Sequence, residues 1–365
     1  MNHETEKSLR VRVLIVDDSA FMRTALTQLV NSDPGLWVAG TAIDGNDALE
    51  KVASLNPDVV TLDVDMPGLD GLGTLRRIMA ECPRPVIMVS SLTEKGAETT
   101  VHALCAGAFD CVPKQLSAHS LDIVHIRDDL VRKIKAAAAP KSQSASTSAV
   151  RKPPRAARLP QQTNHSRIPE IVCIATSTGG PKALQEILPV LPADISVPVL
   201  IVQHMPPGFT ASLAQRLDDL CAVSVREAAR DDVVQPGVVY IAPAGLHITV
   251  KRSLPAQTVI HLSRQPENQL HTPSANLMME SVALAFGSQA MGIILTGMGE
   301  DGTLGMQAIH RHGGLTLGQD EASCAFYGMP RACAELGILH VVVPLSQIPH
   351  QILQATRYRK RALVI

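Results

Sequence analysis

The sequence predicts an α/β protein of two doubly wound domains with mainly parallel sheets. Three observations predict it. Apolar runs of strand length alternate with stretches of helical spacing, which is how a parallel sheet with helices on its faces is written. The alternation breaks once, near the middle of the chain, at a stretch with no hydrophobic period. At 365 residues the chain is also too long for one ordinary core.

In the first domain, residues 10–135, the runs VRVLIV (11–16), LWVAGTA (36–42), DVVTLD (58–63), PVIMVS (85–90) and AFDCV (108–112) predict five buried strands. Between them, stretches such as Ala20–Val30 and Ala48–Leu55 carry apolar residues at helical spacing. Residues 136–167 predict a basic Ala/Ser/Pro-rich linker. From Arg132 to Arg167 there are nine Lys or Arg and no Asp or Glu. Such a stretch buries too little apolar surface to offset the entropy of ordering it. In the second domain, residues 168–365, IVCIAT (171–176), PVLIVQ (198–203), VVYIA (238–242) and AMGIILT (290–296) predict strands with helices between most of them.

Composition removes several classes of function. Aromatics are 2% of the chain, so the cores are built from Val, Leu, Ile, Ala and Met. A net charge of -1 gives no global pull towards nucleic acid, and no aromatic interleaves the linker's basic residues. The seven cysteines form no C-x-x-C pair, which suits reduced thiols better than disulfides or zinc. The N-terminus is polar, and no apolar run reaches the roughly 18 residues of a membrane span. The expectation is a cytoplasmic protein with no membrane insertion.

In an open α/β sheet, chemistry sits at the carboxyl ends of the strands, near the switch in strand order. Asp17 and Asp18 end the first strand and Asp63 ends the third. Three carboxylates converging there repel one another unless a hard cation intervenes, and Mg²⁺ takes such oxygen ligands. Ser90, closing the fourth strand, and Lys114, after the fifth, add a hydroxyl and an ammonium. An acid at a strand end can simply cap the next helix, but five polar groups at five matching positions point to a site for an anion carried on Asp63.

IVDDSAFMR, TLDVDMPGLDG, VSS and Lys114 together resemble the receiver domains of two-component response regulators, with their flavodoxin-like fold. The resemblance implies that Asp63 accepts a phosphoryl group from a chemotaxis histidine kinase. It implies Mg²⁺ bound by Asp18, Asp63 and the backbone carbonyl of Asp65, with Asp17 assisting, and Ser90 and Lys114 as the phospho-switch. Two departures bear on the mechanical readout: Gln115 stands where the family has proline, and Cys111 where it has an aromatic residue.

In the second domain Ser177 lies in IATSTGGPKAL, between a strand and a helix, with glycines for a tight turn and Pro181 suited to the first helical turn. A serine there is exposed beside backbone N–H groups, although the same turn also suits phosphate binding or helix capping. His204, one of 13 histidines, ends a strand in LIVQHMPPGFT, and Asp301 sits in the glycine-rich ILTGMGEDGTLG. A nucleophile, a base and an acid at three strand ends form a constellation. Asp301 would orient His204, which would take the Ser177 proton.

STGGPKAL, QHMPPGFT, YIAP-G-H, ILTGMG-DG and EASCAFYGMP, in that order, resemble the catalytic domain of the chemotaxis protein-glutamate methylesterases, the CheB family. The resemblance implies hydrolysis of glutamate γ-methyl esters on chemoreceptors through a Ser177 acyl-enzyme, and deamidation of selected glutamines, with no cofactor in the esterase site. Thr178 and Met298 would shape the oxyanion hole. Ala175-Thr176, Thr272 and Asn276 depart from the family pattern and are expected near the substrate cleft. Against a non-catalytic signalling module stands the retention of all three candidate residues. Against a DNA-binding regulator stands the absence of any helix-turn-helix pattern.

Overall fold

The computed structural model describes residues 10–91, 93–114, 120–139, 168–254 and 257–357. The chain divides into two compact units, with the boundary between Lys141 and Ser142. Most of the expected linker, and Gln115, fall outside the described residues.

The first unit runs β1 (Val11–Val16), α1 (Ala20–Asn31), β2 (Leu36–Ala42), α2 (Gly45–Leu55), β3 (Val59–Asp63), α3 (Gly71–Glu81), β4 (Val86–Ser90), α4 (Glu94–Cys105), β5 (Asp110–Pro113) and α5 (Ser120–Ala138). Its sheet is parallel throughout, in the order β2-β1-β3-β4-β5. Every residue of β3 and β4 is buried, which is why these strands read as mostly apolar runs without alternation. Ser19, Asp44, Asp70 and Thr93 cap the four helices that follow β1 to β4, each accepting from a backbone N–H of the first turn. The last helix continues to Ala138, three residues into the expected linker. Ala136–Ala138 are strong helix formers, and no breaker intervenes before Pro140. The fifth strand begins at Asp110 rather than Ala108 because Gly107, at φ 110°, is still turning the chain.

The second unit runs β6 (Ile171–Thr176), α6 (Gly180–Ile187), β7 (Val199–Gln203), α7 (Phe209–Asp218), β8 (Ser224–Glu227), β9 (Val238–Ile241), β10 (His247–Leu254), β11 (Gln257–Ser263), α8 (Ala275–Phe286), β12 (Ala290–Ile294), α9 (Thr303–Arg311), β13 (Leu315–Gln319), α10 (Met329–Glu335), β14 (Val341–Val343) and α11 (Ile348–Ala355). Its seven-stranded sheet has the order β14-β13-β12-β6-β7-β9-β8, with parallel pairing throughout. Strands β8, β13 and β14 are additional to those read from the sequence. So is the antiparallel hairpin of β10 and β11, which pairs His247 with Ser263 and stands apart from the main sheet. From β6 the chain winds outward in two directions, so the switch point lies between β6 and β12. A core of Cys173, Leu200, Tyr240, Met278, Val282, Ile294 and Met306 packs helix against sheet beneath it.

All seven cysteines are free thiols. Among the described residues no helix is long and apolar enough to cross a membrane.

Candidate functional site

The carboxyl ends of β6, β7 and β12 meet at the switch point of the second sheet, where crevices of open α/β folds form. Just beyond β6, the Thr176 hydroxyl donates to Thr296 O at 2.8 Å and the Ser177 N–H donates to the same carbonyl at 3.0 Å. This ties the Ser177 turn to the loop after β12. A Cβ on Gly297 would lie 2.8 Å from Ser177 Cβ and 3.0 Å from its nitrogen, so only glycine allows that approach. Gly179, at φ 77°, then turns the chain into α6, whose first turn has no side-chain cap. Gly180 N–H donates to Ser177 O at 2.8 Å, which sets Ser177 beside the positive end of the helix dipole.

His204 follows β7 and donates its backbone N–H to Thr176 O at 3.1 Å. Its Nε2 lies 2.9 Å from Asp301 Oδ2, with both side chains less than a tenth exposed. The other ring nitrogen, Nδ1, is buried and has no hydrogen-bond partner among the described residues. With Nε2–H given to the carboxylate, Nδ1 carries the lone pair and is the nitrogen left to take a proton. An unpartnered buried polar atom costs about 1–3 kcal/mol, and such atoms concentrate at functional sites.

Asp301 is held from every side. Its Oδ2 also accepts from Ala275 N–H at 2.7 Å, and Oδ1 accepts from the Ser274 hydroxyl, Asn276 N–H and Gly302 N–H at 3.1, 3.1 and 3.0 Å. The carboxylate therefore sits at the N-terminus of α8. Burial pushes its pKa up, but the His204 hydrogen bond and charge and the α8 N–H groups outweigh burial and leave it at about 2. It remains an anion at any pH where the protein works.

Thr178 and Met298, the candidates flanking an oxyanion, are both buried, and Met298 directly follows the Gly297 that abuts Ser177. Three of the four departures expected near the cleft adjoin Ser177 or Asp301 with their side chains set into the scaffold. Ala175 and Thr176 are fully buried. The Asn276 carboxamide oxygen accepts from Gly302 N–H at 3.0 Å and Gly305 N–H at 3.1 Å, capping α9. Composition of the motif could not separate cleft from scaffold, because that depends on which way each side chain points.

Sequence reasoning missed several residues that build this site. The Gln203 amide, itself buried, donates from Nε2 to Ser177 O at 2.9 Å and His204 O at 3.0 Å, one group fastening both carbonyls. His247 accepts from Ser274 N–H at Nδ1 and contacts Pro266 O through Nε2, bracing the segment that leads into α8. His271 stacks on His204. Gln203 and His247 stood within quoted motifs, but nothing in their spacing marks a residue that bonds backbone.

In the first unit the switch point lies between β1 and β3. Carboxylate oxygens of Asp17, Asp18 and Asp63 come within 4.8 Å of one another. Lys114 Nζ lies 2.9 Å from Asp17 Oδ2 and 2.6 Å from Asp63 Oδ2. Burial, reinforced by Asp17, raises the Asp63 pKa to about 6 despite the Lys114 contact. Burial also acts to lower the Lys114 pKa, but its two carboxylate partners raise it. Three carboxylates against one ammonium leave uncompensated negative charge among hard oxygen donors, which fits Mg²⁺. Asp65 exposes its side chain and donates its N–H to Asp63 Oδ1 at 3.3 Å. Ser90 is not turned towards Asp63. Its buried hydroxyl reaches Gly96 O at 3.2 Å and accepts from Thr100 Oγ1 at 2.7 Å. Cys111 is buried, its thiol pushed up to about 12 by burial, and its carbonyl accepts from Lys133 Nζ at 2.7 Å. Arg23, not singled out from sequence, donates to the carbonyls of Asp17 and Asp18, both at 2.9 Å, and fixes the acidic turn.

Comparison with known proteins matches residues 172–352 to the CheB methylesterase family and residues 13–124 to the response regulator receiver domain. A protein-glutamate methylesterase/protein-glutamine glutaminase of Symbiobacterium thermophilum is 49% identical over 354 residues, covering 94% of this chain and 97% of the relative. A protein of the same name from Pyrococcus abyssi is 43% identical, covering 95% and 94%. The crystal structure of the Thermotoga maritima CheB methylesterase catalytic domain matches with 37% identity and a TM-score of 0.50, covering 51% of this chain and 98% of that domain.

Proposed function

The chain belongs to the CheB methylesterase family, and on that footing we propose that it hydrolyses glutamate γ-methyl esters on chemoreceptors under control of phosphorylation at Asp63. The observation that carries the esterase half is the buried His204–Asp301 pair, with a lone-pair nitrogen left over at the switch point that Ser177 shares.

The Ser177 hydroxyl oxygen attacks the ester carbonyl carbon while its proton passes to His204 Nδ1. Asp301, anionic with a pKa of about 2, holds the resulting imidazolium by Nε2. The oxyanion accepts from backbone N–H groups beside Thr178 and Met298, each worth roughly 3 kcal/mol. As the tetrahedral adduct collapses, the carbon–methoxy bond breaks and Nδ1–H protonates the departing oxygen, giving methanol. The same nitrogen then deprotonates the water that cleaves the acyl-serine, leaving glutamate. A glutamine side chain would follow the same course with ammonia leaving.

In the receiver, an Asp63 oxygen attacks the phosphorus of a histidine-kinase phosphoimidazole, forming an acyl phosphate as the imidazole departs. Asp17, Asp18 and Asp63, with the Asp65 carbonyl, would hold Mg²⁺, which offsets the charge gathered there. Lys114 pairs with the phosphoryl group, and Ser90 must leave Thr100 and Gly96 to reach it. With the receiver's last helix ending at Ala138, the domains are proposed as residues 10–138, a linker at 139–167, and 168–365, in the cytoplasm, with receptors and kinase as partners.

The test is Ser177→Ala. Methanol release from methylated receptor membranes should fall by several orders of magnitude, with unfolding unchanged. Turnover near the wild-type rate would remove Ser177 from the mechanism.

A further inference from the structure

A base that works through Nδ1 has a geometric problem that Asp301 alone does not solve. One hydrogen bond at Nε2 pins an edge of the imidazole but leaves the plane free to rock about that contact. Rocking swings Nδ1, which lies across the ring from Nε2, away from the serine.

The structure closes that freedom with a second ring. His271 lies face to face with His204, ring centroids 4.1 Å apart and planes 14° from parallel. The segment carrying it is anchored at three points. Gly245 N–H donates to Thr272 O at 3.0 Å, Ser274 N–H donates to His247 Nδ1 at 3.1 Å, and the Ser274 hydroxyl donates to Asp301 Oδ1 at 3.1 Å. Ser274 is also the N-cap of α8, whose first N–H groups hold the Asp301 carboxylate. One short stretch, 271–276, therefore fixes both the edge of the His204 ring, through Asp301, and its face, through His271.

We propose that His271 is a positioning residue for the esterase reaction: a flat plate that sets the plane of the His204 ring and so the direction of its Nδ1. It acts through His204 and does not itself touch the ester. Stacking needs planarity and thickness, and a π face also suits the imidazolium formed in each half-reaction. Any flat aromatic ring at 271 should therefore serve, and a small aliphatic side chain should not.

The proposal rests on the esterase reading, and its test separates the two. The full-length protein, with Mg²⁺ and acetyl phosphate, is assayed for methanol release from methylated receptor membranes, and for labelling of Ser177 by a fluorophosphonate. His271→Ala should lower kcat by about tenfold to a hundredfold, the scale of a misplaced catalytic group, with KM within about twofold. Labelling of Ser177 should slow by the same factor, because the probe needs the base but no receptor. His271→Phe should restore both rates to within about threefold of wild type, the scale of a conserved stack. Wild-type rates in His271→Ala overturn the proposal. So does a Phe variant as slow as the Ala variant with unchanged thermal unfolding, since that would mean a specific imidazole and not a plate. If His271→Ala fails to fold, His271→Phe decides alone by the same threshold. Failure of the esterase reading looks different: wild-type Ser177 would take no probe, or Ser177→Ala would still release methanol.

Discussion

Replacing Asp63 with asparagine should stabilise the first unit at neutral pH, and the size of the effect follows from its surroundings. Asp63 is 1% exposed. Burial, with Asp17 beside it, lifts its pKa from 3.8 to about 6. Two units of pKa correspond to about 3 kcal/mol of unfavourable ionisation in the folded state at pH 7. Asparagine keeps the shape and removes the charge, but Lys114 then loses one of its two carboxylate partners, keeping Asp17 at 2.9 Å. The net gain should be about 1–2 kcal/mol, since an ammonium left with one carboxylate where it had two returns part of the cost. The folded state binds this proton more tightly than the unfolded chain, so the protonation advantage of the wild type is complete below the unfolded value of 3.8 and is lost as pH rises through about 6. The gap between Asp63→Asn and wild type should therefore be full at pH 7.5 and small at pH 4.5. The chain has one tryptophan, Trp37, and it lies in β2, so its fluorescence reports unfolding of the first unit within the intact protein. Urea titrations followed by Trp37 measure the gap directly. Adding Mg²⁺ should stabilise the wild type and narrow it, by mass action on the folded state. A mutant no more stable than wild type at pH 7.5, or a gap that does not change with pH, would refute the assignment of strain to this carboxylate.

Further outcomes follow from the same contacts. Gln203→Glu sets an acceptor against the Ser177 and His204 carbonyls where a donor stood, and should lower kcat by about tenfold or more in the methanol-release assay. Gln203→Met, lacking donor and charge, should fall between Glu and wild type; a fully active Glu variant would dismiss the clamp. A fragment beginning at Ile168 should hydrolyse methyl esters faster than the unphosphorylated full-length chain, and phosphorylating Asp63 should close much of the gap. Reversing a 99:1 inhibited population takes about 5.5 kcal/mol of differential stability. A fragment no faster than the intact protein would show that the receiver recruits or stimulates rather than inhibits.

Much of this was legible in the sequence because parallel sheets write themselves plainly. Strands buried on both faces, such as β3, β4, β6, β7 and β12, are mostly apolar, and Asp63 closes one of them, while Asp17 and Asp18 come just after β1, whose last four residues are buried. The polar residue that closes or follows a strand stands out against that background, which is how Ser177, His204, Asp63 and Lys114 became candidates. Elements with one wet face or few residues were not legible. β8 has exposed Ser224 and Arg226, and β14 is three residues long. The hairpin β10–β11 belongs to no apolar run, since its buried residues alternate with exposed ones.

What no spacing could reveal is which atom of a side chain faces what. His204 was readable as a candidate base, yet which ring nitrogen is taken up by a carboxylate is set by Asp301, 97 residues away. Asp301 in turn is set by Ser274, Ala275 and Asn276, which belong to a different strand-to-helix connection. Ser90 was readable as a partner for a phosphoryl group, but its present hydrogen bonds run to Gly96 and Thr100, on the helix after β4. That difference has a mechanical consequence. Moving Ser90 to Asp63 must break the Thr100 contact in a fully buried site, so the phosphoryl group has to offer at least as good an acceptor as the one Ser90 leaves. With cysteine at 111 packed in the core, its carbonyl bonded to Lys133, no aromatic ring at that position can follow Ser90 inward. The readout in this chain must then travel through the loops around Ser90 and Lys114 themselves, which predicts a smaller activation ratio than in relatives that keep the aromatic residue.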